Sequence, residues 1–164
     1  MSANSSLRVQ IALVSVHHGN TEKVAGAIAE VLQATVIAPE DLRAAHAETC
    51  DLLGFGSGIY GGEHHHRLLE LVHRLPALPG KGVFLFSTFG APALAASHAF
   101  VERNHYALRE RLRAKGASIA GEFGCPGFNT NSFLRFLGGL NRGRPNAADL
   151  DRARAFARTL SHSE

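Results

Sequence analysis

Short apolar runs alternate along the chain with longer segments of helical period. Residues 7–15, 34–37, 52–56, 83–87 and 118–123 are rich in Val, Ile, Leu and Phe and predict five strands. Between them, Val24, Ile28, Val31 and Leu32 form one helical stripe, Leu68, Val72 and Leu75 a second, and Val101, Leu108 and Leu112 a third. A fourth, Leu150, Ala153, Phe156, Ala157 and Leu160, is opened by Asn146 as an N-cap with Asp149 three residues on. Strands without polar alternation are covered on both faces, and strand–helix–strand crossovers are right-handed. The expected product is an α/β fold: a three-layer, doubly wound, five-stranded parallel sheet.

A length of 164 residues fits one such domain, spanning residues 7–162 after a short polar start at 1–6 that is expected to fray. With 45% apolar and 19% charged residues the composition is that of a soluble globular protein. The apolar stretch Ile11 to Val14 is far short of the ~20 residues of a membrane span and lacks the basic flank and apolar region of a signal peptide, so export is not expected. Cys50 and Cys125 lie far apart, with no Cys-x-x-Cys pairing. That argues against a disulfide framework or zinc ribbon and for a cytoplasmic protein. The net charge is +3. Arg103, Arg109, Arg111, Arg113 and Lys115 interleave with Glu102 and Glu110 at helical spacing, which describes a solvated helix face rather than a nucleic-acid site. Ten histidines make the charge sensitive to pH between about 5 and 8.

Doubly wound sheets bind ligands outside the carboxyl ends of their strands. After strand one the chain reads Ser15, Val16, His17, His18, Gly19, Asn20, Thr21 and then enters a helix. Exposed amides at a helix N-terminus, a glycine and small hydroxyls offer an anion many donors. Asn20 or Thr21 would also serve as a simple N-cap. The Walker spacing is absent, so nucleoside triphosphate hydrolysis has no machinery here. After strand three, Ser57, Gly58, Ile59, Tyr60, Gly61 and Gly62 let the backbone approach a flat ring while an aromatic face stacks on it. This stretch matches Gly-x-Gly-x-x-Gly from Gly56, but on the wrong strand and without the acidic residue of a dinucleotide site. After strand four, Ser87, Thr88, Phe89 and Gly90 repeat the small-polar and aromatic character. Together the three loops suit a phosphorylated planar cofactor, and FMN better than a nucleotide needing a ribose-binding acid. The long Gly- and Asn-rich segment 124–145 leaves the same edge and has the character of a lid.

Through Ser15 to Val24, Leu52 to Tyr60 and Gly143-Arg144-Pro145-Asn146, the sequence resembles the flavodoxin-like family. The resemblance implies the strand order 2-1-3-4-5, FMN as cofactor, and electron transfer with a partner redox protein. By resemblance, Ser15, His17, His18, Gly19, Asn20 and Thr21 would hold the phosphate. Gly58 to Gly62 and Ser87 to Gly90 would flank the isoalloxazine, Tyr60 would stack on it, and the Gly61 carbonyl would meet flavin N5. Two features depart from the family. Histidines stand at positions 17 and 18 where hydroxyl residues are usual, and the isoelectric point is near 9.2 where electron carriers of the family are acidic. A cationic rim around an exposed flavin edge would steer toward acidic partner proteins or anionic small substrates.

Other readings are kept alongside. An NAD(P)H-dependent FMN reductase of quinones or similar planar acceptors would turn over unaided, and a flavin-free interaction module would purify colourless. A phosphorelay receiver would need carboxylates where Ser15 and Ser57 stand, and no nucleophile elbow supports a hydrolase. His64, His65 and His66 fan apart on a helix and cannot converge on one metal, so they are expected on the rim of the site. Cys125 is expected to be buried and inert, and Phe128 is a second candidate for stacking.

Overall fold

The computed structural model describes residues 7–161; residues 1–6, read above as a frayed start, lie outside the described residues, as do 162–164. All five expected strands form. They are β1 (Val9–Val14), β2 (Thr35–Ile37), β3 (Leu52–Tyr60), β5 (Gly82–Phe89) and β6 (Ser118–Pro126). They pair in parallel in the order β2-β1-β3-β5-β6, which is the expected 2-1-3-4-5 order. The sixth strand, β4 (Glu63–His64), was not anticipated and runs antiparallel to the end of β3. Gly61 and Gly62, with φ of 60° and 86°, form the two-residue turn between them. Positive φ at both central residues gives the turn whose twist matches the flanking strands.

Helices α1 (Asn20–Leu32) and α5 (Ala147–Leu160) cover one face of the sheet. Helices α2 (Ala44–Thr49), α3 (His66–Arg74) and α4 (His98–Ala114) cover the other. Alternate strand residues divide between the two faces. Val9 and Ile11 pack with Val24, Ile28 and Ala157, while Ala12 and Val14 pack with Leu68, Val72 and Leu108. On the α1/α5 face Gly54 and Gly56 have no side chain, because the rings of Phe84 and Phe86 from β5 occupy the space a Cβ would need. Glycine in a strand interior marks close approach of this kind.

Asn146 caps α5 as expected. Its side chain accepts from the Asp149 amide at 3.0 Å and Asp149 accepts from the Asn146 amide at 2.9 Å. The start of α1 differs from expectation. The N-cap is Gly19, at φ 63°, with no side-chain cap, and Asn20 and Thr21 both lie inside the first turn. His18 and Gly19 are consecutive left-handed residues that turn the chain into the helix one step earlier. Among the described residues no helix is long and apolar enough to cross a membrane.

Candidate functional site

The carboxyl ends of β1, β3, β5 and β6 frame one open cleft, with a cavity of about 90 Å³ at its base. The loop after β1 contributes Val16, His17, His18, Asn20 and Thr21, and the end of β3 contributes Gly58, Ile59 and Tyr60. Thr88, Phe89 and Gly90 come from the end of β5, and residues 127–131 close the far side. The three loops singled out from sequence therefore converge, and the segment after β6 joins them.

The β1 loop is built to leave donors free. Ser15 Oγ accepts from the Glu22 amide at 3.3 Å, and the Asn20 amide turns back to the His17 carbonyl at 3.4 Å. Among the described residues the amides of His17, His18 and Gly19 donate to no backbone carbonyl. They gather at the N-terminus of a 13-residue helix, whose aligned peptide dipoles favour negative charge. Thr21 Oγ1 and Thr88 Oγ1 share a buried hydrogen bond of 2.8 Å, which locks the first turn of α1 to β5. Asn20 Nδ2 donates to the Phe128 carbonyl at 2.9 Å, tying the loop to the segment after β6. Its Oδ1 is buried and has no partner. His18, at φ 55°, bonds through Nε2 to Thr130 Oγ1 at 2.8 Å, and its ring lies 4.6 Å from that of Phe128. A left-handed histidine costs backbone energy, and such strain gathers where surrounding contacts hold the chain for function.

The opposite wall is aromatic. The half-buried ring of Tyr60 folds back over Gly58, where a Cβ would come within 2.9 Å of its hydroxyl. It lies 6.2 Å from His17 and packs edge-on against His65 at 5.2 Å. Burial raises the Tyr60 phenol above its usual range. Phe89 is buried, with its ring edge-on to Phe100 at 4.9 Å. No Asp or Glu occurs at positions 15–21, 56–62 or 87–92, so the cleft carries no carboxylate from these loops.

Not every residue singled out from sequence lines the cleft. Ser15 and Gly19 shape the β1 loop from behind, and Gly61 and Gly62 form the exposed hairpin turn. Ser57 and Ser87 are fully buried. The Ser57 hydroxyl donates to the Gly58 carbonyl at 2.7 Å and accepts from the His65 amide at 2.9 Å, anchoring the β3–β4 hairpin. Ser87 Oγ meets His105 Nε2 at 2.7 Å. Of the histidine run, His66 is exposed and His65 half-buried, as expected of a rim, but His64 is in the core. Antiparallel pairing with Ile59 turns its ring inward, where Nε2 donates to the Phe86 carbonyl at 3.2 Å. The His64 ring packs 4.6 Å from that of His105, and Nδ1 of both rings is buried and unpaired. Burial pushes His64 down to about 4 and His105 to about 2, so both are neutral. His105 was not identified from sequence, since a histidine within a helical stripe gives no sign of being buried.

Cys125 is fully buried, and burial, with the Asp149 charge behind it, raises its thiol to about 12. Among the described residues no cluster of His, Cys, Asp or Glu has the arrangement of a metal site.

A protein of Methanocaldococcus jannaschii of uncharacterized function is 37% identical over 154 residues, covering 94% of this chain and 98% of that protein. Oxidised flavodoxin 2 from Bacillus cereus superimposes with a TM-score of 0.66 at 19% identity, over 94% of this chain and 97% of that one. A WrbA-like flavodoxin from Agrobacterium tumefaciens gives a TM-score of 0.64 at 17% identity, over 96% of both chains. The pattern of the flavodoxin domain matches residues 11–127, running from β1 to the cleft wall beyond β6. With a match that spans most of its length, the chain belongs to the flavodoxin family.

Proposed function

We propose that the protein binds FMN in this cleft and passes electrons between redox partners. The observation that carries the reading is the set of unpaired amides at residues 17–19, held at the start of α1 beside the Tyr60 ring. Such a set suits a phosphate monoester. The buried, unpartnered Oδ1 of Asn20 is an acceptor suited to a hydroxyl of the ribityl chain. The cavity of about 90 Å³ is smaller than the roughly 300–1,000 Å³ of pockets that enclose a whole ligand. The phosphate end would be enclosed and the tricyclic ring would lie at the mouth, against Tyr60 and near His17.

Bound there, the flavin would supply one- and two-electron chemistry, with one ring edge open to a partner. The protein's part is to grip, orient and set the charge around the ring. With no carboxylate in the three loops, and with His17 and His18 at the rim, negative charge on the reduced ring meets no like charge from them. The midpoint potential is therefore expected to lie above that of the acidic carriers.

The test is to purify the protein without added cofactor, record its visible spectrum and identify the released chromophore by mass. Asn20→Ala combined with Thr21→Ala should weaken FMN retention, because charge-assisted donors contribute about 1.5–3 kcal/mol each and this first turn positions them. Unchanged affinity in the double variant would reject the cradle. A colourless protein that takes up no FMN would reject the function, and steady consumption of NADPH by the isolated protein would replace the shuttle by a reductase.

A further inference from the structure

Beside the cleft, two turns rise from neighbouring points on the sheet edge and expose large apolar side chains. One follows β5 and carries Leu94, 103% exposed. The other is the 3-10 turn Ser132–Leu137 after β6, which carries Phe133, Phe136 and Leu137 at 66%, 77% and 74% exposure. The turns are joined at their bases. Asn141 Nδ2 donates to the Ala91 carbonyl at 2.8 Å, and Asn129 Nδ2 to the Gly90 carbonyl at 3.4 Å. A bridge between Asn129 and Leu140 closes the second turn into a fixed knuckle. Its inner side, Asn129 to Asn131, lines the cleft. The apolar side chains therefore stand beside the mouth of the proposed cofactor site. Exposed large apolar side chains gathered at one edge of a domain mark a place where something binds.

The two segments that carry this face bear charge of one sign. No Asp or Glu occurs at positions 71–101 or 123–148. The second turn carries Arg135, whose guanidinium sits 4.7 Å over the Phe136 ring, and the exposed Arg142 follows. Neither is ion-paired among the described residues, whereas Arg144 is taken up by Asp149. Phenylalanine and arginine without lysine or acid are the enrichment and depletion of a protein–protein interface core. A second copy of the chain would bring Arg135 and Arg142 against their own counterparts. An anionic membrane surface is read by clusters of about 4–8 Lys and Arg, more than the two unpaired arginines here.

Resting on the proposed function, we infer that Leu94, Phe133, Phe136 and Leu137, with Arg135 and Arg142, form the docking face for a redox protein that presents an apolar patch ringed by carboxylates. The arginines steer the acidic partner and set its approach, and the apolar side chains seat it over the mouth of the cleft.

The experiment uses one carrier in two charge states: cytochrome c, whose haem edge is ringed by lysines, and succinylated cytochrome c, whose lysines are converted to carboxylates. FMN content is first measured by absorbance in every variant, so failure to bind flavin, which defeats the proposed function, is separated from failure to dock. The FMN-loaded protein is reduced with dithionite, excess reductant is removed, and transfer of one electron to each ferric haem is followed by stopped flow. The wild type should reduce the succinylated carrier at least tenfold faster at low salt, with the advantage lost at high salt. Arg135→Glu with Arg142→Glu should reverse the preference. Phe133→Ser with Phe136→Ser should slow the succinylated carrier severalfold at high salt, where steering is screened. Preference for native cytochrome c, or rates that no substitution moves, would overturn the assignment. So would sedimentation of the protein with phosphatidylserine vesicles that is lost in Phe133→Ser with Phe136→Ser, which would give the face to a membrane.

Discussion

Acid should destabilise this protein through two histidines that have no exit to water. His64 and His105 are 1% and 0% exposed, their rings are 4.6 Å apart, and neither Nδ1 has a partner. Glu122 lies 3.9 Å from the His105 ring, but both of its oxygens are already engaged by Arg109 at 3.0 Å. In the unfolded chain both histidines take up protons below about pH 6.5. In the fold, burial holds His64 neutral down to about pH 4 and His105 to about pH 2. The unfolded state therefore binds more protons in this window, and stability is retained above pH 6.5 and falls as pH drops. At about 1.4 kcal/mol per pH unit for each histidine, His64 accounts for about 3 kcal/mol of lost stability by pH 4, and His105 for a similar amount. Against a typical total of 5–15 kcal/mol this is enough to unfold the domain. Urea titrations at pH 7, 6, 5 and 4 read the effect directly. His64→Leu removes one of the two sites and should flatten the pH dependence by about half. If wild type and His64→Leu lose stability in parallel between pH 7 and 4, the histidines are not the cause.

Four further outcomes follow from the packing. Gly56→Ala, whose Cβ would run into the Phe86 ring, should lower stability by about 1–3 kcal/mol in a urea titration at pH 7, as overpacking does. Asp149→Asn removes the buried carboxylate that accepts from the Asn146 amide and pairs Arg144 and Arg152; both arginines reach solvent, so the loss should be about 1–3 kcal/mol in the same assay. Thr21→Val strands the Thr88 hydroxyl in a buried position and should cost about 1–3 kcal/mol in that assay. Native Cys125 should resist iodoacetamide at pH 8 and react only after unfolding, since its thiol is raised to about 12 and has no access to solvent.

The layers and the convergence of the three loops were legible because they depend on period and position. Strands buried on both faces read as unbroken apolar runs, and Gly19-Asn20-Thr21 directly after the first of them marks a loop entering a helix. What escaped depends on neighbours far along the chain. Gly61-Gly62 was read as backbone for a flat ligand, although a Gly-Gly pair is also a hairpin turn, and with Tyr60 and Glu63 on either side it generates β4. That turn in place, alternation sends His64 inward and His65 outward, so three adjacent histidines meet three different environments. Ser57 and Ser87 stand in paired register on β3 and β5, and their hydroxyls serve the hairpin and His105 rather than the cleft. The segment after β6 read as a lid, but its asparagines bond to backbone at Gly90, Ala91 and Gly127 and make it a fixed wall. No local pattern announces those contacts.

The account rests on a phosphate group held by the amides that open α1. Titrating cofactor-free protein with FMN and with riboflavin, by quenching of flavin fluorescence, isolates that grip, because the two ligands differ only in the phosphate. FMN should bind at least 100-fold more tightly, a difference of about 2.7 kcal/mol. Equal affinity for the two flavins, or none for either, would contradict the central claim.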